Sequence, residues 1–152
     1  MQGLVIANIA DLYKIKTNEK VYEASARGKL KNEGISPVVG DNVEITITDE
    51  KNNIARIDKI KERKVYIKRP KLANISKLIL VVSSKDPKPD LLMLDKQLAF
   101  AEFLGIKSMI VLNKADLDKN KEFEKIKRIY ENINYKVCIT EAKLSKGIEE
   151  LK

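Results

Sequence analysis

The sequence predicts a small β-barrel followed by an α/β segment, and three observations predict it. Residues 2–67 carry short runs of alternating polarity broken by turn residues. Residues 77–140 alternate apolar strand-like runs with helical ones. One of the later runs, Met109-Ile110-Val111-Leu112, ends directly in Asn113-Lys114-Ala115-Asp116.

In the first part, Val43-Glu44-Ile45-Thr46-Ile47-Thr48 alternates strictly, so Val43, Ile45 and Ile47 share one face of a strand. Val21 to Ala26 and Asn53 to Asp58 read the same way. Turn signals separate them at Thr17-Asn18-Glu19, Asn32-Glu33-Gly34, Gly40-Asp41-Asn42 and Asp49 to Asn53. Several short strands in so short a stretch predict an antiparallel barrel, with the five-stranded OB-fold as the natural candidate. This part is expected to span residues 1–70.

Beyond Pro70 the period changes. Lys77 to Val82 is a continuous apolar run, expected to be a strand buried on both faces of a parallel sheet. Asp90 is placed to cap the next helix, whose inner face takes Leu91, Leu94, Leu98 and Ala101, and Gly105 is placed to stop it. A strand Lys107 to Leu112, a charged helix near Lys119 to Asn132 and a strand Lys136 to Thr140 complete a β-α-β-α-β order. That order predicts parallel pairing, with ligands at the carboxyl ends of the strands. Residues 71–152 are expected to form this partial α/β domain.

Composition narrows the chemistry. The chain has 152 residues, 43% apolar and 34% charged, with no histidine and one cysteine, Cys138. An internal disulfide is impossible, and the usual general base and most zinc chemistry are missing. Cys138, between Val137 and Ile139, reads as a small buried hydrophobe. No run approaches the length of a membrane span and no signal peptide is apparent, so a cytoplasmic protein without membrane contact is expected.

Asn113-Lys114-Ala115-Asp116 carries the sharpest chemical reading. An ionised carboxylate accepts two hydrogen bonds at once, matching the N1–H and N2–H₂ that guanine presents side by side. Adenine has an acceptor at that edge and would leave the carboxylate unpaired. The asparagine amide can tie down a neighbouring loop, and the lysine stem can lie flat on the base. The competing reading is a polar turn in which Asp116 caps the following helix. Glu141-Ala142-Lys143 resembles the Ser-Ala-Lys turn whose backbone amides meet the guanine O6 in GTPases, with Glu141 where serine is usual. A plain helix start competes with that reading.

The phosphate-binding pattern Gly-x-x-x-x-Gly-Lys-Ser/Thr does not occur. Gly28-Lys29 is the sole Gly-Lys pair; Leu30 follows it and Glu23 stands at the first glycine position. Either the protein is not a GTPase or its domain is circularly permuted, with the phosphate half beyond Lys152.

Net charge is +8, and residues 59–71 hold seven cations against one anion, Glu62. With Tyr66 among them and a second cluster at Arg27-Gly28-Lys29-Leu30-Lys31, they suit a polyphosphate backbone. A solvated basic linker is the competing reading.

Several motifs in order resemble the ribosome small-subunit-dependent GTPase A (RsgA) family. They are Arg27-Gly28-Lys29-Leu30-Lys31, Pro37-Val38-Val39-Gly40-Asp41-Asn42-Val43, Arg63 through Arg69-Pro70 to Ala73-Asn74-Ile75, and Asn113-Lys114-Ala115-Asp116-Leu117. The resemblance covers nearly the whole chain. It implies an OB-fold that docks on the small ribosomal subunit and its rRNA, then the guanine-recognition half of a circularly permuted GTPase domain. Asn113, Lys114 and Asp116 would bind the base of GTP or GDP, with Ala142 and Lys143 as supporting loop positions. Charge, rather than the resemblance, nominates Arg27, Lys29, Lys31, Arg63, Lys64, Lys68 and Arg69 as RNA contacts. The phosphate loop, the catalytic residues, Mg²⁺ and a zinc-binding domain would belong to chain beyond Lys152. No catalytic or metal-binding residue is therefore expected here, and the chain reads as a truncated or incomplete product, monomeric and without turnover of its own. The alternative is a stand-alone OB-fold RNA-binding module without nucleotide binding.

Overall fold

The computed structural model describes residues 1–28, 30 and 34–151. They form two compact units, Met1–Ile75 and Ser76–Lys152. Lys29 and Lys31, both nominated above for RNA binding, lie outside the described residues.

The first unit is built on five strands: β1 (Gln2–Ile9), β2 (Leu12–Lys16), β3 (Val21–Ala26), β4 (Asn42–Asp49) and β5 (Ile54–Ile60). They close in the order β1-β2-β3-β5-β4. β3 and β5 run parallel while the other pairs are antiparallel, which is the OB-type barrel the alternation predicted. Every second residue points inward, so Val5, Tyr13, Ile15, Tyr22, Ala24, Val43, Ile45, Ala55 and Ile57 make one buried core. Closure removes the free sheet edges that would otherwise invite pairing with other chains.

A short ladder of β6 (Tyr66–Ile67) and β7 (Leu72–Ala73) follows the barrel. It is fastened to the turn before β4 from several directions. Gly40 has φ +93°, and a Cβ there would lie 1.9 Å from the Ala73 carbonyl oxygen, so only glycine fits. The Ala73 amide donates to the Val39 carbonyl at 2.9 Å. Asn74 donates to the Gly40 carbonyl at 3.0 Å and accepts from the Lys64 amide at 2.8 Å. The Asp41 side chain is fully buried and accepts from the Val38 amide at 2.8 Å.

The second unit has a three-stranded parallel sheet in the order β10-β9-β8, from β8 (Lys77–Ser83), β9 (Lys107–Asn113) and β10 (Lys136–Thr140). Helix α1 (Leu91–Phe103) joins β8 to β9, and helix α2 (Glu122–Glu131) joins β9 to β10. Asp90 caps α1, accepting from the Met93 amide at 2.9 Å. Gly105, at φ +66°, ends α1: its amide donates to Glu102 and that of Ile106 to Ala101, both at 2.9 Å. That pair of bonds is a Schellman stop. Both helices pack on the sheet face carrying Leu80, Ile110, Leu112 and Val137, to which they add Leu94, Leu98, Phe123, Ile126 and Tyr130.

One expectation is corrected. β8 is not buried on both faces: Leu80 is buried, but Ile79 and Val81 are 48% and 63% exposed. The reason is position, because β8 is an edge strand and both helices cover the same side of the sheet. Cys138 is buried as expected, and burial pushes its thiol up from the ordinary range. Among the described residues, no helix is long and apolar enough to cross a membrane.

Candidate functional site

The carboxyl ends of β8, β9 and β10 meet, and the motif at the end of β9 sits among them. Parallel register brings Ser83 opposite Asn113 and Thr140 opposite Asn113 from the other side. Asn113 uses its side chain between strands: Oδ1 accepts from Thr140 Oγ1 at 3.0 Å and from the Ala142 amide at 3.2 Å. One carboxamide oxygen thus fixes the loop after β10 against the loop after β9. Its amide nitrogen keeps its donors for another acceptor.

Lys114 takes a left-handed backbone, φ 65°, and turns the chain out of the sheet. Its Nζ donates to the carbonyls of Lys85 and Asp86 at 3.1 and 2.6 Å. Ser84 completes this clasp, its Oγ donating to the Lys114 carbonyl at 2.6 Å and its amide to the Asn113 carbonyl at 3.2 Å. The motif is therefore held from both flanks, by the loop after β8 and by the loop after β10.

Asp116 stands on the 3₁₀ turn Ala115–Leu117, exposed, with no hydrogen bond or ion pair to any described residue. The helix-capping alternative belongs instead to Asp118, whose carboxylate accepts from the Glu122 and Phe123 amides at 3.0 and 2.9 Å. With the cap supplied two residues later, the Asp116 carboxylate is left without a partner among the described residues.

The loop after β10 is a tight 3₁₀ turn, Ala142–Leu144, closed by reciprocal backbone bonds between Glu141 and Lys146. Lys146 Nζ also pairs with Glu141 Oε2 at 2.9 Å. Glu141, where a serine is usual, is thus occupied with bracing its own loop. Gly147 passes so close to the strand end that a Cβ would lie 2.2 Å from the Ile139 carbonyl oxygen. Ala142 and Lys143 are exposed beside Asn113. Sequence reasoning missed Ser84, Thr140 and the Lys85–Asp86 carbonyls. The signal was available, because a parallel order brings the carboxyl ends of neighbouring strands together.

On the first unit, Arg27, Lys64, Lys68 and Arg69 are exposed and make no ion pair with described residues. Arg63 differs. Its Nε and Nη2 reach the two Asp41 oxygens at 2.7 and 2.8 Å, Nη2 also donates to the Ser36 carbonyl at 2.9 Å, and the guanidinium lies 4.7 Å from the Tyr66 ring centre. The bond to Asp41 raises its pKa further above the usual arginine range. Among the described residues, no three His, Cys, Asp or Glu side chains come together as a metal site.

These features define a class: an OB-type barrel followed by a three-stranded parallel α/β sheet whose carboxyl-end loops gather Asn113, Lys114 and Asp116. Comparison with known proteins resolves the class. Residues 2–54 match the RsgA N-terminal domain and residues 60–152 the RsgA GTPase. The chain belongs to the RsgA family. It is 41% identical over 150 residues to the small ribosomal subunit biogenesis GTPase RsgA of Alkaliphilus metalliredigens, covering 99% of this chain and 51% of that protein. It is 38% identical to that of Clostridium novyi, covering 100% and 52%. Among solved structures, YjeQ from Thermotoga maritima superposes with a TM-score of 0.85 at 30% identity, covering 99% of this chain and 55% of that one. YloQ, described as a circularly permuted GTPase, superposes at 0.79 with 27% identity, covering 99% and 53%. The chain spans about half the length of the curated relatives it matches.

Proposed function

We propose that this chain is the guanine-recognition and RNA-docking half of a cytoplasmic GTPase that acts in assembly of the small ribosomal subunit, the process for which its relatives are named. The observation that carries the nucleotide reading is the division of labour between two neighbouring carboxylates. Asp118 caps α2, and Asp116 is exposed, without a partner among the described residues, at the carboxyl end of a parallel sheet.

In this reading Asp116 accepts from guanine N1–H and N2–H₂. The Lys114 stem forms one wall of the base site while its ammonium holds the Lys85–Asp86 loop. Asn113 fixes the Ala142–Lys143 turn, whose backbone supplies donors toward O6. Specificity follows from pairing: adenine would desolvate the carboxylate without satisfying it. The barrel docks on rRNA through Arg27, Lys64, Lys68 and Arg69, and Lys29 and Lys31 extend the same cationic sequence. Arg63, bound to Asp41, braces the segment that carries Lys64, Lys68 and Arg69.

Phosphoryl transfer depends on positioning the phosphates and stabilising their charge. The residues that recognise a base supply neither, so the chain binds GDP weakly and does not hydrolyse GTP. Mg²⁺ and Zn²⁺ are assigned to no residue of this chain. Titration of the purified chain with fluorescent GDP, competed by unlabelled GDP and by ADP, tests the reading. Saturable binding displaced by GDP and not by ADP is expected. Equal displacement by ADP removes the guanine assignment, and absence of saturable binding leaves a stand-alone RNA-binding module.

A further inference from the structure

We propose that the groove between the β8–α1 loop and helix α2 is a docking site for an acidic amphipathic helix of a partner protein. The groove is open and encloses about 910 Å³, beside the guanine motif but not part of it: Asn113 and Asp116 do not line it. One wall is the Ser84–Pro89 loop, the end is the Leu117–Asn120 turn, and the other wall is α2 itself.

Helix α2 contributes Glu122, Lys125, Ile126 and Ile129, which recur at the three- and four-residue spacing of a single helical stripe. The same helix buries Phe123, Ile126 and Tyr130 against the sheet, so Ile129 is not needed for the core. It is 56% exposed, and Leu117 at the groove end is 41% exposed. An apolar floor beside an exposed helical stripe is the geometry that accepts a second helix laid alongside.

The rim sets the charge of that helix. Lys85, Lys88, Lys119 and Lys125 are exposed, and none forms an ion pair with a described residue. Asp118 is held by the α2 amides but keeps its charge, so the lining sets two carboxylates, Asp118 and Glu122, against four ammonium groups. Such a rim attracts carboxylates and repels a basic segment.

Nucleic acid fits the groove less well. Single strands gain about 1–3 kcal/mol per base from stacking on aromatic rings, and among the described residues no aromatic side chain lines this groove. Leu117 and Ile129 gain nothing from a sugar-phosphate backbone, but bury readily against leucines. The loop that forms one wall also supplies the carbonyls of Lys85 and Asp86 that hold Lys114, so an occupant bears directly on the guanine motif. The docking proposal itself does not depend on nucleotide binding.

The test uses the full chain and three probes: a fluorescent synthetic helix with a leucine face flanked by glutamates, the same helix with lysines for glutamates, and oligouridylate. Saturable binding of the acidic helix is expected, with amide shifts confined to residues 84–91 and 117–129. The Lys88→Glu/Lys125→Glu double variant weakens it about tenfold or more, and Ile129→Ser weakens it independently. All three positions are exposed, and unchanged circular dichroism checks that the variants fold. Absence of saturable binding, equal binding of the lysine helix, or indifference to both variants overturns the proposal. Tighter binding of oligouridylate, lost in the double variant, assigns the groove to nucleic acid and equally overturns it. GDP titration of the double variant separates the two readings, because Lys88 and Lys125 lie outside the guanine motif.

Discussion

Arg63 grips Asp41 with two parallel hydrogen bonds of 2.7 and 2.8 Å, and the Asp41 side chain has no exposed surface. A bidentate guanidinium–carboxylate pair is stronger and more directional than a single contact. Asp41 also holds the Val38 amide, so the pair joins the turn before β4 to the basic segment after β5. Removing one partner from a buried pair leaves the other's polar groups unsatisfied. Asp41→Ala should destabilise the barrel by about 3 kcal/mol, the lower end of the usual range because Arg63 reaches solvent. Arg63→Lys should cost less but still measurably, because an ammonium cannot reproduce the fork. Urea unfolding followed by far-UV circular dichroism reads both.

The neighbouring cations act differently. Lys68→Ala and Arg69→Ala should leave urea midpoints unchanged and weaken RNA binding. Each should reduce the slope of log affinity against log salt by about one. Arg63→Gln, which removes the charge, should alter affinity with little change in slope. Fluorescence anisotropy on an rRNA oligonucleotide over a salt series distinguishes a cation that touches phosphate from one that holds the loop.

Asn113 couples two loops through one oxygen atom. Asn113→Ala removes the acceptor for both Thr140 Oγ1 and the Ala142 amide, at about 1–3 kcal/mol of lost hydrogen bonding. GDP affinity should fall by about tenfold or more, with little loss of global stability, because the bonds lie at the strand ends. Thr140→Val, which removes one donor and keeps the shape, should give a smaller drop in the same titration.

Tyr130 ties α2 to α1: its hydroxyl donates to Asp95 Oδ1 at 2.7 Å. Burial, reinforced by this bond to a carboxylate, pushes the phenol well above its ordinary value of 10.0. The folded state therefore keeps a proton that the unfolded chain releases above about pH 10. Stability contributed by Tyr130 is complete below that pH and falls as pH rises toward the folded-state value. Tyr130→Phe should lower stability at neutral pH by about 1 kcal/mol and flatten the alkaline decline. Urea unfolding at a series of alkaline pH values measures the slope.

Legibility in the sequence followed the range of the interactions. Alternation in Val43–Thr48 and the helix stop at Gly105 are local, and both were readable. The β1–β2 hairpin was not: Ala10 and Asp11 both take positive φ, 49° and 66°, without the Asn-Gly signature that usually announces such a turn. Helix α2 begins at Glu122 rather than near Lys119, because Asp118 folds back on its first amides. The exposure of Ile79 and Val81 depends on which strand is at the edge, and an apolar run cannot encode that by itself. Arg63 read as one more cation among many. Its partner, Asp41, is 22 residues away in sequence, and only closure of the barrel brings the two together.

The most direct test exchanges the hydrogen-bond pattern at one atom. Guanine presents donors at N1 and N2; xanthine keeps N1–H but replaces the amine with a carbonyl oxygen. Asp116→Asn replaces an acceptor pair by one acceptor and one donor, which matches xanthine and mismatches guanine. Competition of fluorescent GDP and fluorescent xanthosine diphosphate against the unmutated chain and Asp116→Asn reads the exchange. The account predicts that the variant loses its guanine preference and acquires one for xanthosine diphosphate. An unchanged preference for GDP in Asp116→Asn would contradict it.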